Sequence, residues 1–303
     1  MPVQKVRIGT RGSPLALKQA HMVAEALQAA HGGIDTQIIT LKTSGDRITD
    51  RPIAEIGGKE VWTKELDRAL LAGETDISVH SMKDVESERP DGLRIYAMLE
   101  RADVRDKLIG AASIDALPHG ARVGTSSPRR SAQLRAIRPD LVPVSLRGNV
   151  ATRLAKLDAG EADATMLAAA GLDRLGQSDV GHLIETDVML PAAAQGAVGI
   201  DARDDDEAMQ ELLAAIDHKD THDAVLVERA FILGLGGDCH SPVAALATCD
   251  GAMIRLAMEL YSEDGSERMA ETADFVRGDC EAPLLYAAGM LERAPDAIRT
   301  LFA

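Results

Sequence analysis

A lysine and an aspartate stand side by side, as Lys83 and Asp84, in the segment VHSMKDV. A short apolar run over residues 77–79 leads into them, and a helix-like stretch that stops at Gly73 comes before it. The run is therefore predicted to be a buried strand. Polar side chains at the end of such a strand lie at the ligand crevice of an open α/β sheet. There Asp84 could stabilise a cation and Lys83 could hold a carboxylate or a phosphate. The alternative is a solvated turn with an ordinary ion pair.

A basic segment interrupts an otherwise acidic chain. Residues 121–155 contain seven arginines and one acid, Asp140, a local net charge of +6 in a chain whose formal net charge is −15. The overall charge disfavours binding to nucleic acids or membrane surfaces, so the basic segment indicates an anionic small ligand. Arg135 and Arg138 are expected on solvated helix faces. The remaining candidates lie beside turns or helix starts, where anions are commonly held. They are Arg129, Arg130, Arg147 and Arg153.

Cys239 lies in a loop, LGGDCHSP, that is bounded by glycines and a proline. A loop thiol can act as a nucleophile, whereas structural cysteines usually lie inside apolar runs. Cys249 and Cys280 lack such a setting and are expected to be incidental. Because neighbouring side chains on an extended loop often point apart, His240 is not assigned as a partner of Cys239. Three cysteines without a Cys-x-x-Cys spacing argue against a disulfide scaffold or a structural zinc site, and no metal is predicted.

The composition is that of a globular protein. With 303 residues, of which 46% are hydrophobic, the chain can form two or three domains with a substantial core. Aromatic residues make up only 2%, so alanine, leucine, valine and isoleucine must build that core. No apolar stretch approaches the ~20 residues of a membrane span, and the start lacks the apolar region of a signal peptide. We expect a cytoplasmic monomer that binds neither membranes nor nucleic acids.

Strand-like and helix-like segments alternate along the chain, which predicts βαβ units and a mostly parallel sheet. Ser13 is a natural N-cap, and Pro14 fits the first position of the helix that follows. A second hydroxyl-rich turn, formed by Thr125, Ser126 and Ser127, precedes another first-turn proline. Both turns offer hydroxyls and backbone N–H groups to an anion.

The alternating pattern restarts after about residue 100. We therefore predict two similar α/β domains, over residues 1–99 and 103–190, with the ligand between them. Residues 218–303 contain a helix-like start, a glycine-rich break and alternating strands, which is typical of a small α+β domain.

A series of segments carries a resemblance to a known family. The segments are IGTRGSPLALKQA, KTSGD, GGK with TKEL, DISVHSMKDV, VGTSSPRR, SLRGNVATRLAKL, LPAAAQGAVGI and GGDCHSP. In this order and spacing they resemble porphobilinogen deaminase, also called hydroxymethylbilane synthase. The resemblance implies three domains, of which the first two are similar to type II periplasmic binding proteins. It also implies that residues 196–215 return to domain one, which makes that domain discontinuous.

The resemblance implies a dipyrromethane cofactor, attached covalently to Cys239 through a thioether. Asp84 matches the catalytic acid, which would bond pyrrole N–H groups and stabilise the cationic azafulvene left when ammonia departs. The cofactor-binding residues implied are Ser13, Lys83, Asp84, Thr125, Ser126, Ser127, Arg129, Arg130, Arg147, Gly148 and Gln195. Those implied for the substrate are Arg11, Ser13, Lys59, Trp62, Arg147, Arg153 and Arg174.

The chain departs from the family pattern at a few positions. Glu60, Val61 and Trp62 stand where many members have Gly-Leu-Phe, and Glu55 stands where lysine is frequent. Trp62 could be an aromatic lid over a pyrrole or part of a core. Ala194 replaces a common glycine before Gln195, and Asp238 precedes Cys239 where a small residue is usual. A carboxylate beside the thiol would slow attachment of the cofactor, because it disfavours the thiolate.

The activity that the resemblance implies is the head-to-tail condensation of four porphobilinogen molecules. Ammonia is lost at each step, and hydrolysis then releases linear hydroxymethylbilane for tetrapyrrole biosynthesis. The partners are thus porphobilinogen and the growing oligopyrrole chain. An alternative is a non-catalytic, two-lobed binding protein for a carboxylated ligand, which leaves Cys239 unexplained. A phosphate-handling transferase is a third hypothesis, but the chain lacks the lysine and serine that end a P-loop.

Overall fold

The computed structural model describes residues 5–43, 63–237 and 241–302. The chain divides into two compact units. The first contains Met1–Ala102 and Gly196–His222, and the second contains Asp103–Gln195 and Asp223–Ala303. The C-terminal part thus groups with residues 103–195, and the separate domain expected over residues 218–303 stays a prediction.

The described residues form strands and helices in the following order. The strands are β1 (Lys5–Arg11), β2 (Asp35–Leu41), β3 (Ile77–Ser81), β4 (Leu93–Met98), β5 (Asp106–Ile109), β6 (Arg122–Gly124), β7 (Val142–Val144), β8 (Ala164–Ala168), β9 (His182–Ile184), β10 (Val198–Arg203), β11 (Val243–Asp250), β12 (Met253–Tyr261) and β13 (Arg268–Val276). The helices are α1 (Pro14–Ala30), α2 (Lys64–Leu71), α3 (Pro128–Ile137), α4 (Val150–Asp158), α5 (Ala169–Arg174), α6 (Glu207–Ala214), α7 (Lys219–Gly234), α8 (Glu281–Arg293) and α9 (Asp296–Arg299). A short 3₁₀ helix, Met82–Asp84, follows β3 directly.

The first unit contains a five-stranded sheet in the order β2-β1-β3-β10-β4. Strand β1 runs parallel to β2 and β3, whereas β10 is antiparallel to both of its neighbours, β3 and β4. Four strands therefore run in one direction and β10 runs in the other. The prediction of a mostly parallel sheet is confirmed, with one reversed strand that comes from a distant part of the sequence.

Helix α1 covers one face of this sheet. Ser13 caps it by accepting a hydrogen bond from the backbone N–H of Ala16 at 3.2 Å, and Pro14 occupies its first turn, as predicted. Its apolar stripe packs into a core with Ile8 and Ile77, both fully buried. The stripe consists of Ala16, Ala20, Val23, Ala24 and Leu27.

The second unit repeats this topology. Its sheet has the order β7-β6-β8-β5-β9, in which β6 is parallel to β7 and β8, and β5 is antiparallel to β8 and β9. Leu108, Val123, Leu134 and Met166 are fully buried in its core. The predicted fold class is confirmed, since two α/β sheets share one arrangement of parallel and reversed strands.

A third sheet, β11-β12-β13, is antiparallel throughout and belongs to the second unit. One face of it is buried in a cluster with Phe231 of α7 and Met290 of α8. Phe275 and Tyr286 meet edge to face with ring centroids 5.7 Å apart. Alanine, leucine, valine and isoleucine make up most of the three cores, as the composition predicted. No helix within the described ranges is both long and apolar enough to span a membrane.

A close approach of two chain segments fixes the start of the 3₁₀ helix. Met82 is 1% exposed, and its backbone N–H donates to the carbonyl of Ala197 at 3.1 Å. A Cβ atom built on Gly199 of β10 would lie 2.1 Å from the Met82 sulfur. Only glycine leaves room for this methionine, which immediately precedes Lys83 and Asp84.

Gly199→Ala should therefore lower the free energy of unfolding by about 1–3 kcal/mol, because the buried Met82 must move to admit a methyl group. Urea denaturation measures the loss. Gly32→Ala is the matched control, since a Cβ there meets nothing within 4 Å. Equal denaturation midpoints for the two variants would show that Met82 does not depend on Gly199.

Candidate functional site

In the first unit, a pocket lies at the ends of β1 and β3. Because these strands are parallel, Arg11 and the 3₁₀ helix with Lys83 and Asp84 come to the same edge of the sheet, beside the start of α1. Asp84 and Lys83 are both half-buried. The pocket is lined by Arg11, Ser13, Leu15, Ala16, Gln19, Thr63, Val79, His80, Ser81, Asp84 and Val85. Three of the predicted site residues, Arg11, Ser13 and Asp84, thus share one cavity.

A buried network of charges lies behind this pocket. Asp201 of β10 accepts a hydrogen bond at 2.6 Å from Arg89, whose guanidinium also bonds Asp67. The Nε2 atom of His80 is 3.2 Å from Asp201, close enough for an ion pair but not aligned for a hydrogen bond. All four side chains are at most 7% exposed.

The charges in this network compensate one another. Burial raises the pKa of Asp67. Burial also opposes ionisation of Asp201, yet the neighbouring His80 and Arg89 lower its pKa. Asp67, His80 and Asp201 approach within 4.8 Å, a spacing that could suit a metal ion. The guanidinium of Arg89 already supplies the cation between the two carboxylates, which favours an ionic network that holds β3 and β10 together.

In the second unit, Arg129 and Arg130 lie in the first turn of α3 and bind the same carboxylate. Asp106, at the start of β5, accepts from Arg129 Nη2 at 2.8 Å and from Arg130 Nη2 at 2.7 Å. The two arginines are 3% and 5% exposed, and Asp106 is 2% exposed. Burial opposes ionisation of Asp106, but the two guanidiniums hold its pKa far below the usual range. The cluster therefore carries two cations and one anion.

Gln195 belongs to the same cluster. Its side-chain amide donates to Asp106 at 2.8 Å and to the carbonyl of Val104 at 2.7 Å. Ala194, just before it, has φ of +59°, the left-handed region that favours glycine. The buried Glu228 accepts from the backbone N–H of Ala194 at 2.5 Å, which helps to hold this conformation. This left-handed backbone conformation explains why glycine is common in the family at position 194.

The remaining hydroxyls and arginines lie around turns of the second unit. Ser127 caps α3, and the hydroxyl of the buried Thr125 accepts from the N–H of Ser127 at 3.2 Å. Ser126 is exposed, with its hydroxyl 3.4 Å from that of Ser145. These contacts order the turn, which leads directly into the N-terminus of α3. The dipole of a helix favours anions at its N-terminus.

Arg147 and Gly148 precede helix α4. Gly148 has φ of +122°, and a Cβ there would lie 2.6 Å from Thr152. Arg153 donates from Nε to the carbonyl of Gly148 at 2.9 Å. Arg147 and Arg174 are half-buried, and burial lowers the pKa of Arg174.

Two expectations about the basic segment need revision. Arg135 and Arg138 are half-buried rather than on solvated faces. Arg135 donates to the carbonyl of Glu263 at 3.2 Å, and Arg138 binds Asp140 at 2.7 Å. Sequence reasoning also missed Asp106, Asp201 and Gln19. The signal for Asp106 is an acid at the start of an apolar strand. The signal for Gln19 is an amide within the apolar stripe of a helix.

Several predicted residues lie outside the described ranges. They are Lys59, Trp62 and Cys239, together with Glu55, Glu60 and Asp238. On either side of Cys239, Gly236 follows the end of α7 with φ of +68°, and β11 begins at Val243. Of the other cysteines, Cys249 lies within β11 and Cys280 at the start of α8.

Comparison with known proteins identifies the family. Residues 6–211 match the model described as "Porphobilinogen deaminase, dipyromethane cofactor binding domain". Residues 223–286 match the C-terminal domain of the same family. The chain belongs to the porphobilinogen deaminase family. This membership confirms the resemblance inferred from the motifs.

Curated members of the porphobilinogen deaminase family align with almost the whole chain. Porphobilinogen deaminase from Sphingopyxis alaskensis is 56% identical over 100% of this chain and 98% of its own. The protein of the same name from Paracoccus denitrificans is 52% identical over 89% of this chain and 88% of its own. Among solved structures, the periplasmic VFT2 domain of BvgS from Bordetella pertussis is 18% identical with a TM-score of 0.40, over 71% of this chain and 86% of that one.

Asp106→Asn should lower the free energy of unfolding by about 3–5 kcal/mol at neutral pH, because it leaves two buried guanidiniums without a counter-charge. The stabilisation by Asp106 is complete at pH values above ~3.9, the pKa of an aspartate in an unfolded chain. It declines as the pH falls from there towards the lower pKa of Asp106 in the folded protein. Denaturation at pH 7 and pH 3 should therefore show a smaller difference between variant and wild type at pH 3. The control is Asp274→Asn, whose partner Arg255 is on the surface. A loss no larger than that of the control would contradict the assigned role.

Proposed function

We propose that this protein is a transferase of tetrapyrrole biosynthesis that condenses four porphobilinogen molecules and releases hydroxymethylbilane. The family match over residues 6–211 and 223–286 is the observation that carries this proposal. Each condensation breaks the bond between the aminomethyl carbon of porphobilinogen and its nitrogen, releases ammonia and joins that carbon to a pyrrole carbon, which loses a proton. The non-catalytic binding protein considered above is not favoured, since both relatives are named as the enzyme.

Asp84 is the residue proposed to carry the chemistry. Its carboxylate is half-buried in a pocket, where a negative charge stabilises a nearby cation more than it would in water. Departure of ammonia from the substrate leaves such a cation next to a pyrrole ring. The carboxylate can also accept the hydrogen bond of a pyrrole N–H and take up a proton. Lys83, its neighbour in the 3₁₀ helix, supplies a positive charge for a substrate carboxylate.

The chain's residues fit a dipyrromethane cofactor. Such a cofactor carries carboxylate side chains and two pyrrole N–H groups, and when bound it supplies an electron-rich pyrrole carbon for the first condensation. The cluster around Asp106 has one more cation than anions, and the Nε of Arg129 has no hydrogen-bond partner among the described residues. An excess cation and an unused donor suit an anionic group. Asp84 supplies the acceptor for N–H groups.

Cys239 is proposed as the attachment point of the cofactor. It lies between the described residues Gly237 and Ser241, in the connection from α7 to β11. Cys280 is an exposed residue, yet partial burial of its thiol and the neighbouring acids Asp279 and Asp223 raise its pKa, which makes the reactive thiolate scarce. Cys249 is half-buried within a paired strand, where a bulky adduct would disturb the sheet.

Cys239→Ser should give folded protein without a covalent cofactor, because a hydroxyl is a much poorer nucleophile than a thiol. Peptide mapping of the wild type by mass spectrometry locates the adduct, and circular dichroism checks the fold of the variant. Cys280→Ser is the control and should keep the adduct. Finding the adduct on Cys249 or Cys280 would refute the assignment.

Asp84→Asn should reduce the rate of hydroxymethylbilane formation by ~10²–10³, since the amide keeps the shape of the carboxylate but not its charge. Asp84→Glu keeps the charge and moves it by one methylene, so it should retain more activity. Rates are normalised to the cofactor-loaded fraction, which intact mass measures. An Asn variant that turns over within a few-fold of wild type would exclude Asp84 as the catalytic carboxylate.

A further inference from the structure

Gln19 occupies a position on α1 where the helix pattern calls for an apolar residue. The buried face of the helix consists of Ala16, Gln19, Ala20, Val23, Ala24 and Leu27, all at the spacing of a single stripe. Every other member of the stripe is aliphatic. Gln19 is nevertheless 2% exposed, and its side chain forms part of the wall of the pocket that contains Asp84.

The amide of Gln19 is held at one end only. Its Oε1 atom accepts a hydrogen bond from the hydroxyl of Ser81 at 2.9 Å, which orients the group. Its Nε2 atom is shielded from solvent and has no partner among the residues that the structure describes. A buried donor without an acceptor is unfavourable, and native proteins rarely keep one without a reason. A leucine or methionine at this position would avoid the cost.

We propose that Gln19 is a substrate-binding residue whose Nε2 donates a hydrogen bond to a carboxylate oxygen of a pyrrole in the pocket. The inference rests on the proposed function and adds a residue to it. A small rotation of the terminal amide, which is a soft torsion, turns the N–H group into the cavity.

The surroundings favour a carboxylate as the group that Gln19 binds. Arg11 and Ser13 line the same pocket and supply a positive charge and a hydroxyl. Asp84, also in the wall, is the acceptor for a ring N–H. A pyrrole that directs its N–H group to Asp84 and a carboxylate to Gln19 satisfies both side chains at once. The Ser81 hydroxyl occupies the amide oxygen, so the free end of Gln19 is the donor.

Two substitutions distinguish a donor from an acceptor. Gln19→Glu keeps the shape and an oxygen acceptor but replaces the donor by a negative charge, which repels a carboxylate. Gln19→Met removes both polar groups at similar volume. The matched control is Gln28→Glu, which makes the same charge change on the exposed face of the same helix, where Gln28 bonds Thr36.

Steady-state kinetics with porphobilinogen, normalised to the cofactor-loaded fraction, give KM and kcat, and thermal melting gives stability. Loss of a hydrogen bond to a charged group should raise KM about 10- to 100-fold in Gln19→Glu and Gln19→Met, with Gln28→Glu unchanged. The melting temperature of Gln19→Met should equal or exceed that of wild type, because an unpaired buried donor has been removed.

The outcomes separate this inference from the proposed function. A wild-type protein that does not consume porphobilinogen refutes the function itself. If wild type is active and both Gln19 variants keep KM within two-fold, Gln19 does not bind substrate. If Gln19→Glu is active and Gln19→Met is impaired, the amide acts as an acceptor. If the Gln19 variants melt at a lower temperature but keep a normal KM, the role of Gln19 is purely structural. Either result overturns the proposal.

Discussion

The reversed strand of each α/β sheet carries a buried aspartate that binds arginine, and the positions of the proposed site residues in each unit depend on this pairing. In the first unit Asp201 of β10 binds Arg89 and lies beside His80 of β3, the strand that leads to Asp84. In the second unit Asp106 of β5 binds Arg129 and Arg130. A buried carboxylate is tolerated only where cations and hydrogen bonds compensate for the loss of water. Each aspartate therefore ties the reversed strand to residues far away in the sequence.

The two clusters differ in a way that matters for binding. Around Asp201 there are two carboxylates, one guanidinium and one imidazole, so this cluster has no surplus of positive charge. Around Asp106 there are two guanidiniums and one carboxylate, at the start of a helix whose dipole adds further positive potential. The first cluster is suited to fixing a strand. The second keeps a surplus of positive charge for the carboxylates of an oligopyrrole, which is the role proposed for it.

Local patterns allowed much of the fold to be predicted. The capping residue Ser13 and the proline after it placed the start of α1 at Pro14, because these signals lie within one helical turn of the boundary they determine. Strand β7 is only three residues long, Val142–Val144, because Pro143 lacks the N–H that a longer ladder needs. The boundary between the two units lies within helix α7, where no linker composition marks it.

The site was predicted from motifs, whereas its supporting contacts were not. Lys83 and Asp84 were identifiable because they follow a strand directly. Asp106 lies 23 residues before Arg129, and their contact depends on the strand order of the sheet. Ala194 was recognisable as a departure from the family, but its positive φ shows why glycine is common there. Long-range pairing and backbone conformation of this kind leave little trace in one sequence.

The central claim is that this chain builds an oligopyrrole on a covalent cofactor. Intact-mass spectrometry of the denatured wild-type protein, before and after limiting porphobilinogen, tests it most directly. The account predicts a starting mass above that of the bare chain by a dipyrromethane. It also predicts a ladder of species after addition, each heavier by one porphobilinogen less ammonia and ending at four. A protein with the mass of the bare chain that stays unchanged on adding substrate would contradict it.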